Sequence, residues 1–406
     1  VSPISTIEDD EGRLRPTETA ARLMEPSEAR RVSPAPYGPD EVPMKLFHCQ
    51  ACAQVLYFEN VRCERCGHAL GYLPGETELS ALEPLEAAGE GTPLWRPLAG
   101  SGKTARLCSN AQYEACNWLV DADSAEGFCT ACRHNRTVPD LTDPANLLAW
   151  QRWQSALHRL VYTLGRLGLP LANRADDPER GLVFDVLADP PGAPKVLTGH
   201  DEGIVTLALS EADDAERERR RTAMGEPYRT LLGHVRHETG HHYWNLLVRD
   251  AGRLEECRAV FGDDSRDYGE ALKAHYANGA PPDWQEAYVS AYATAHPWED
   301  FAETWAHYLH IADTLEMAAA FGLRIRPRLP QAEATAAAVL AAKIDFDPYG
   351  PVTIEEMIEA WLPLTYAANS LNRCMGAPDL YPFVLSAPAI AKLSYIHRLV
   401  RGTNAA

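Results

Sequence analysis

The sequence predicts an α+β protein in which small, β-rich, cysteine-bearing modules precede a mostly helical domain. Three observations carry that prediction. Eight of the ten cysteines fall between residues 44 and 135, among glycines, prolines and short apolar runs such as Val55-Leu56-Tyr57-Phe58. Beyond residue 143 the apolar residues recur at helical spacing. At 406 residues the chain exceeds what one hydrophobic core usually serves, so a large domain with one or two small ones is expected.

Residues 1–43 are rich in Pro, Glu, Ser and Arg with little apolar periodicity, which predicts a disordered extension. Met44, followed by Lys45 and Leu46, reads as the true start, with the preceding segment either an over-extended reading frame or a disordered tail. Residues 44–135 form the cysteine-rich domain and 143–406 the second. Asp143 as N-cap and Pro144 at the first helical position open a long amphipathic helix, marked by Leu147, Trp150, Trp153, Leu157, Leu160 and Leu164. Short strands are predicted at Leu182–Leu187 and Ile204–Leu209, a charged linker at Glu211–Arg221, and a helix from near Pro227. Trp298–Leu323 reads as another helix, Thr353 with Glu356 as a capping box for a third, and Ser386 as the start of a fourth.

The 46% hydrophobic content is ordinary for a soluble protein, and no stretch approaches the roughly 20 apolar residues that span a bilayer. With no secretory pattern at the N-terminus, a cytoplasmic location and no membrane partner are expected. A net charge of −19 repels a phosphate backbone, so nucleic acid is excluded as the main partner. Close cysteine pairs in a chain read as unsecreted point to metal rather than disulfides.

Cys49-x-x-Cys52 and Cys63-x-x-Cys66 have the spacing of two zinc knuckles aiming four thiolates at one tetrahedral ion. Gly67 suits the tight turn after the second pair. Cys108, Cys116, Cys129 and Cys132 form a looser set that predicts a second structural zinc, with His134 as a substitute ligand. Four thiolates leave no open position, so both sites are structural. Cys257 and Cys374 read as buried apolar residues.

His237-Glu238-Thr239-Gly240-His241 lies in a helix-favouring run. At about 3.6 residues per turn the two histidines share a face and reach one ion, while Glu238 stands beside it as a base. The third ligand is sought on the helix from Trp298, where Asp300, Glu303, His307 and His310 recur on one face. Glu303, central in that stripe, is the expected ligand; Asp300 and His307 would orient imidazoles from behind. The competing reading of the stripe is an internal salt-bridge ladder. His234 either supports an imidazole or is an ordinary polar-face residue. Tyr292 and His296, with Tyr288 behind them, are the candidate donors to a developing oxyanion.

The amino-terminal zinc ribbon, the Gly233-His234-Val235-Arg236-His237-Glu238-Thr239-Gly240-His241 run and the His296–Thr304 segment together resemble the zinc-binding metallopeptidases of bacteria. The resemblance covers nearly everything from Met44 onward. It implies a zincin-like, gluzincin fold in which a helix-borne Glu completes the two-histidine site. The expected activity is hydrolysis of a peptide or protein substrate by a metal-activated water with Glu238 as general base. One catalytic and one or two structural zinc ions are expected, with a protein partner as a further use of the ribbon. The alternative is an interaction module whose histidine site is structural or degenerate.

Overall fold

The computed structural model describes residues 6–8, 14–16, 46–85, 92–192, 194–224, 228–328 and 340–402. The chain divides into two units, 1–42 and 43–406. In the first, β1 (Thr6–Glu8) pairs antiparallel with β2 (Leu14–Pro16). The rest of the 1–43 segment, for which the sequence predicts disorder, lies outside the described residues.

The second unit is α+β, with the β-rich cysteine region first and helices after it. β3 (Phe47–His48) and β4 (Val55–Leu56) make a short antiparallel pair. β5 (Ala69–Leu73), β6 (Glu78–Leu85), β7 (Leu94–Pro97), β8 (Ala105–Leu107) and β9 (Leu119–Asp121) follow as an antiparallel sheet in sequence order. Gly67 adopts φ +79° after the second cysteine pair, a conformation only glycine enters without strain. Phe47, Phe58, Tyr72 and Trp118 pack edge to face beneath this sheet, and Val161 and Tyr162 of the next helix enter the same core.

That helix, α1 (Pro144–Arg166), begins as the sequence indicates: Asp143 accepts a hydrogen bond from the Ala145 N–H at 2.8 Å. Its other face buries Trp150, Trp153, Leu160 and Leu164 in the main core. A four-stranded sheet lies alongside in the order β10 (Asn135–Thr137), β11 (Val183–Leu187), β13 (Ile204–Ala208), β12 (Gly199–Asp201). The β10–β11 and β11–β13 pairs are parallel, and β12 is antiparallel to β13. β13, the strand predicted at Ile204–Leu209, is internal to this sheet, whose edges are β10 and β12.

The run read as a charged linker is instead helix α2 (Asp214–Met224), laced by Asp214–Arg217, Glu216–Arg220 and Glu218–Arg221 pairs at helical spacing. α3 (Leu231–Trp244) starts at Thr230, whose hydroxyl accepts from the Gly233 N–H at 2.9 Å. α4 (Leu254–Phe261) and α5 (Tyr268–Asn278) are short and had no clear sequence signal. α6 (Pro297–Ala320) runs through the centre with Phe301, Trp305, Tyr308, Leu309 and Leu315 fully buried. β14 (Arg324–Ile325) pairs with β15 (Ala342–Lys343); α7 (Ile354–Cys374) follows the Thr353–Glu356 capping box and α8 (Ala387–Gly402) ends the described chain.

α3 and α6 meet backbone to backbone. A Cβ on Gly240 would come within 2.9 Å of the Ala302 Cα, so only glycine allows this approach. The contact sets the level at which the histidines of α3 face the carboxylates of α6. Among the described residues no helix is long and apolar enough to cross a membrane.

Candidate active site and metal centres

The eight cysteines of the first region assemble into the two expected groups, Cys49, Cys52, Cys63, Cys66 and Cys108, Cys116, Cys129, Cys132. Within each group the sulfurs lie within 4.8 Å of one another. Cys49–Cys66 is 3.5 Å, Cys52–Cys63 3.6 Å and Cys116–Cys129 3.7 Å. A tetrahedron with zinc–sulfur bonds of about 2.3 Å has edges of about 3.8 Å, so these sulfurs stand at zinc-site spacing. Burial and neighbouring sulfurs push Cys116 well up. Cys129 is opposed by the same burial, but hydrogen bonds from Cys108, Cys116 and Cys132 draw it well down.

The two groups differ in setting. Cys66 is exposed and Cys52 half-buried, whereas all four sulfurs of the second group are buried. His158 of α1 closes over the second group, its Nε2 lying 3.2 Å from Cys116 Sγ and 3.5 Å from Cys132 Sγ. Its Nδ1 donates to the Gln154 carbonyl at 2.6 Å. His134, the suggested substitute ligand, donates instead to the Leu182 carbonyl at 2.7 Å, because Cys108 fills the fourth place. Cys257 is buried as expected; Cys374 is exposed at the end of α7, contrary to expectation.

A third group consists of His237, His241 and Glu299. Glu299 Oε2 is 2.9 Å from His237 Nε2 and 3.5 Å from His241 Nε2. These separations match the roughly 3.3 Å edge of a tetrahedron with bonds near 2.0 Å. The 2.9 Å approach does not have hydrogen-bond geometry, and Glu299 Oε2 is buried with no hydrogen-bond partner. An orphaned carboxylate oxygen converging with two imidazole nitrogens is the arrangement a zinc ion fits. Glu303, the expected third group, is not among these three clustered donors. Glu303 lies one helical turn further along α6 and takes His237 from the other side of its ring, Oε1 accepting from Nδ1 at 2.6 Å. That bond leaves Nε2 on the side facing Glu299. Ser290 in turn donates to Glu303 Oε2 at 2.5 Å, and Tyr268 at the start of α5 donates to Glu299 Oε1 at 2.5 Å.

Burial opposes charge on His237, but Glu299 and Glu303 outweigh it and hold the imidazole well above its usual range. Two carboxylates on one buried ring call for a cation. His241 is held differently: its ring lies 3.9 Å from that of Trp298, and its Nδ1 is buried with no hydrogen-bond partner.

Beside His237, the one member of this group that lines it, opens a cleft of about 810 Å³ whose walls include Glu238, Tyr292, Glu303 and His307. Glu238 is only 6% exposed yet reaches the cleft. Tyr292 has its ring 5.9 Å from that of His237; burial and the Glu299 charge push its phenol far up, so it remains a proton donor. His296 does not share this position. It caps α6, accepting from the Trp298 N–H at 3.1 Å through Nδ1 and donating to the Arg266 carbonyl at 3.1 Å through Nε2, so neither nitrogen is left for an oxyanion.

The other three predicted supports also engage elsewhere. Asp300 points to α8, its Oδ2 2.6 Å from Lys392 Nζ; burial raises its carboxyl to about 7 although Lys392 pulls it down. His307 bonds the Tyr381 hydroxyl at 2.6 Å, and burial lowers it to about 4. His234 Nδ1 lies 2.6 Å from Glu211, a carboxylate that burial would raise but that His234 and Arg229 hold at about 2. The orienting groups are Glu303, Ser290 and Tyr268. The sequence reading named Glu303 but not Ser290, Tyr268 or Glu299. Glu299 had a signal, since it stands four residues before Glu303 on the same face.

Fold and donors together define a zinc-binding protein with two four-cysteine centres and a two-histidine, one-glutamate centre beside a cleft. Comparison with known families agrees. Residues 146–399 match the family described as "Putative zinc-binding metallo-peptidase", and residues 46–143 match a zinc-ribbon domain. The chain belongs to this zinc-binding metallopeptidase family. Proteins of Mycobacterium tuberculosis and Mycobacterium bovis, both described only as uncharacterised, are 40% identical over 358 residues, covering 88% of this chain and 95% of theirs. No solved structure matches the chain.

Proposed function

We propose that the chain is a zinc-dependent peptidase whose catalytic ion is held by His237, His241 and Glu299, with Glu238 as general base. The observation that carries this reading is the convergence of His237 Nε2, His241 Nε2 and the unpartnered Glu299 Oε2 at one edge of a cleft that also receives Glu238. When bound, zinc supplies a Lewis acid that polarises a carbonyl and brings the acidity of water to about pKa 7.

The chain's own groups supply the rest. Glu303, held by Ser290, fixes the His237 tautomer, and Tyr268 occupies Glu299 Oε1, which leaves Oε2 as the oxygen that would hold an ion. Glu238 accepts a proton from the attacking water and returns it to the leaving amine. Tyr292 donates to the oxyanion. Thr198, next to edge strand β12, lines the cleft, which gives an extended peptide a backbone to pair with. A cytoplasmic location and a peptide substrate complete the reading.

The test is cleavage of a peptide library or denatured casein by the purified chain. Cleavage that stops with a chelator and returns with zinc supports the proposal; no metal-dependent cleavage of any peptide contradicts it.

A further inference from the structure

Beside the cleft lies a second cavity of about 120 Å³, and Tyr228, His310 and Phe383 belong to the walls of both. Its far side is built by α7, where Trp361, Leu364 and Ala368 fall on one helical face, and by Leu380 on the returning chain. That return is fixed in place. Asn369 bonds the Tyr381 backbone twice, its Nδ2 donating to the carbonyl and its Oδ1 accepting from the N–H, each at 2.9 Å.

The wall is mostly apolar, although the Trp361 Nε1–H in it is buried without a hydrogen-bond partner. Tyr381 commits its hydroxyl to His307 and Thr365 commits its own to the Leu362 carbonyl. Burial and the neighbouring Arg236 keep His310 uncharged. Leu380, on the lining, is 52% exposed, a cost in water that binding an apolar group would offset. The volume is close to that of cavities of about 150 Å³ that accept a benzene ring.

The position relative to the chemistry follows from helix packing. His310 lies against Gly233, one turn before His237 on α3 and so about 6 Å along that helix. An extended peptide advances about 3.3 Å per residue, and the pocket lies beyond His310, so its mouth falls roughly two to four residues from the bond at His237.

We propose that this cavity is a specificity subsite that takes a leucine, methionine or phenylalanine side chain of the peptide, roughly two to four residues from the cleaved bond. The inference rests on the peptidase reading and adds its substrate class: peptides with a bulky apolar residue at a fixed distance from the cut. Filling the pocket by Ala368→Phe, or placing a charge at its exposed rim by Leu380→Asp, removes the preference.

The experiment is identification of cut sites in a random peptide library, followed by kcat/KM for a matched pair of peptides with leucine or serine at the selected position. Wild type is expected to prefer leucine by roughly 10- to 100-fold. In Ala368→Phe and in Leu380→Asp, each checked for unchanged zinc content and thermal melt, the ratio is expected to fall towards one. Metal-dependent cleavage with no apolar preference at any of these positions overturns the subsite while leaving the peptidase reading intact. A preference that survives in both variants assigns it to another surface and also overturns the subsite. No cleavage of any peptide overturns both readings.

Discussion

Around Cys108, Cys116, Cys129 and Cys132 every sulfur is buried and α1 closes the centre with His158. Around His237, His241 and Glu299 the donors are equally buried, but Glu238 and Tyr292 beside them face an 810 Å³ cleft. Four thiolates saturate a tetrahedral ion, whereas three donors leave one position for water or substrate. The supports differ as well. The cysteine centre lies within the core that the strand region shares with α1, while the histidine centre is surrounded by hydrogen bonds from the Glu303, Ser290 and Tyr268 side chains. One centre holds the fold together; the other has the construction of a site for chemistry.

The comparison breaks most visibly if the buried cysteine centre is dispensable. Cys129→Ser removes one of its ligands, and a structural zinc of this kind contributes on the order of 10 kcal/mol to folding. Because α1 and the strand region share a core, the variant is expected to lose the cooperative thermal transition of the whole second unit. Cys66→Ser, at the exposed edge of the other centre, should disturb the ribbon and leave the catalytic half's transition in place. Equal melts for the two variants would remove the distinction.

The histidine centre should respond in activity rather than in fold. Glu238→Gln keeps the shape of the side chain and every proposed ligand, so zinc content and melting should be unchanged while turnover falls by about 10²- to 10⁴-fold. Retained hydrolysis would take the base role from Glu238. A smaller effect is expected one step back from the ion. Tyr268→Phe deletes the hydroxyl on Glu299 Oε1 and should weaken zinc affinity by about 10- to 100-fold, read by competition with a chelating dye. No change in affinity would make that hydroxyl an incidental contact.

Much of this was legible in the sequence where a signal is local. The Cys-x-x-Cys pairs, the His237–His241 spacing, Asp143–Pro144 and the Thr353–Glu356 box each fix structure within a few residues, and each is found as read. Helix α2 was missed although its charge pairs repeat at three and four residues, because a run of charges was given more weight than its periodicity. The choice between Glu299 and Glu303 was not legible for a different reason. Periodicity gives the face of α6 but not the level along it, and that level is set by the Gly240–Ala302 contact between helices. His296 carried a readable signal, since Pro297 at the first helical position makes the residue before it the cap. The partners of Asp300 and His234, Lys392 and Glu211, are distant in sequence and came only from the tertiary structure.

The central claim is that Glu299 binds the ion and Glu303 positions His237, and zinc stoichiometry after exhaustive dialysis tests it directly. The wild-type chain is expected to hold about three zinc ions, two on cysteines and one on the histidine centre. Glu299→Ala should hold about two, whereas Glu303→Ala should recover the third at saturating zinc with affinity weakened by about 10- to 100-fold. A Glu303→Ala variant that cannot take up the third ion while Glu299→Ala keeps it would reverse the two roles and contradict the account.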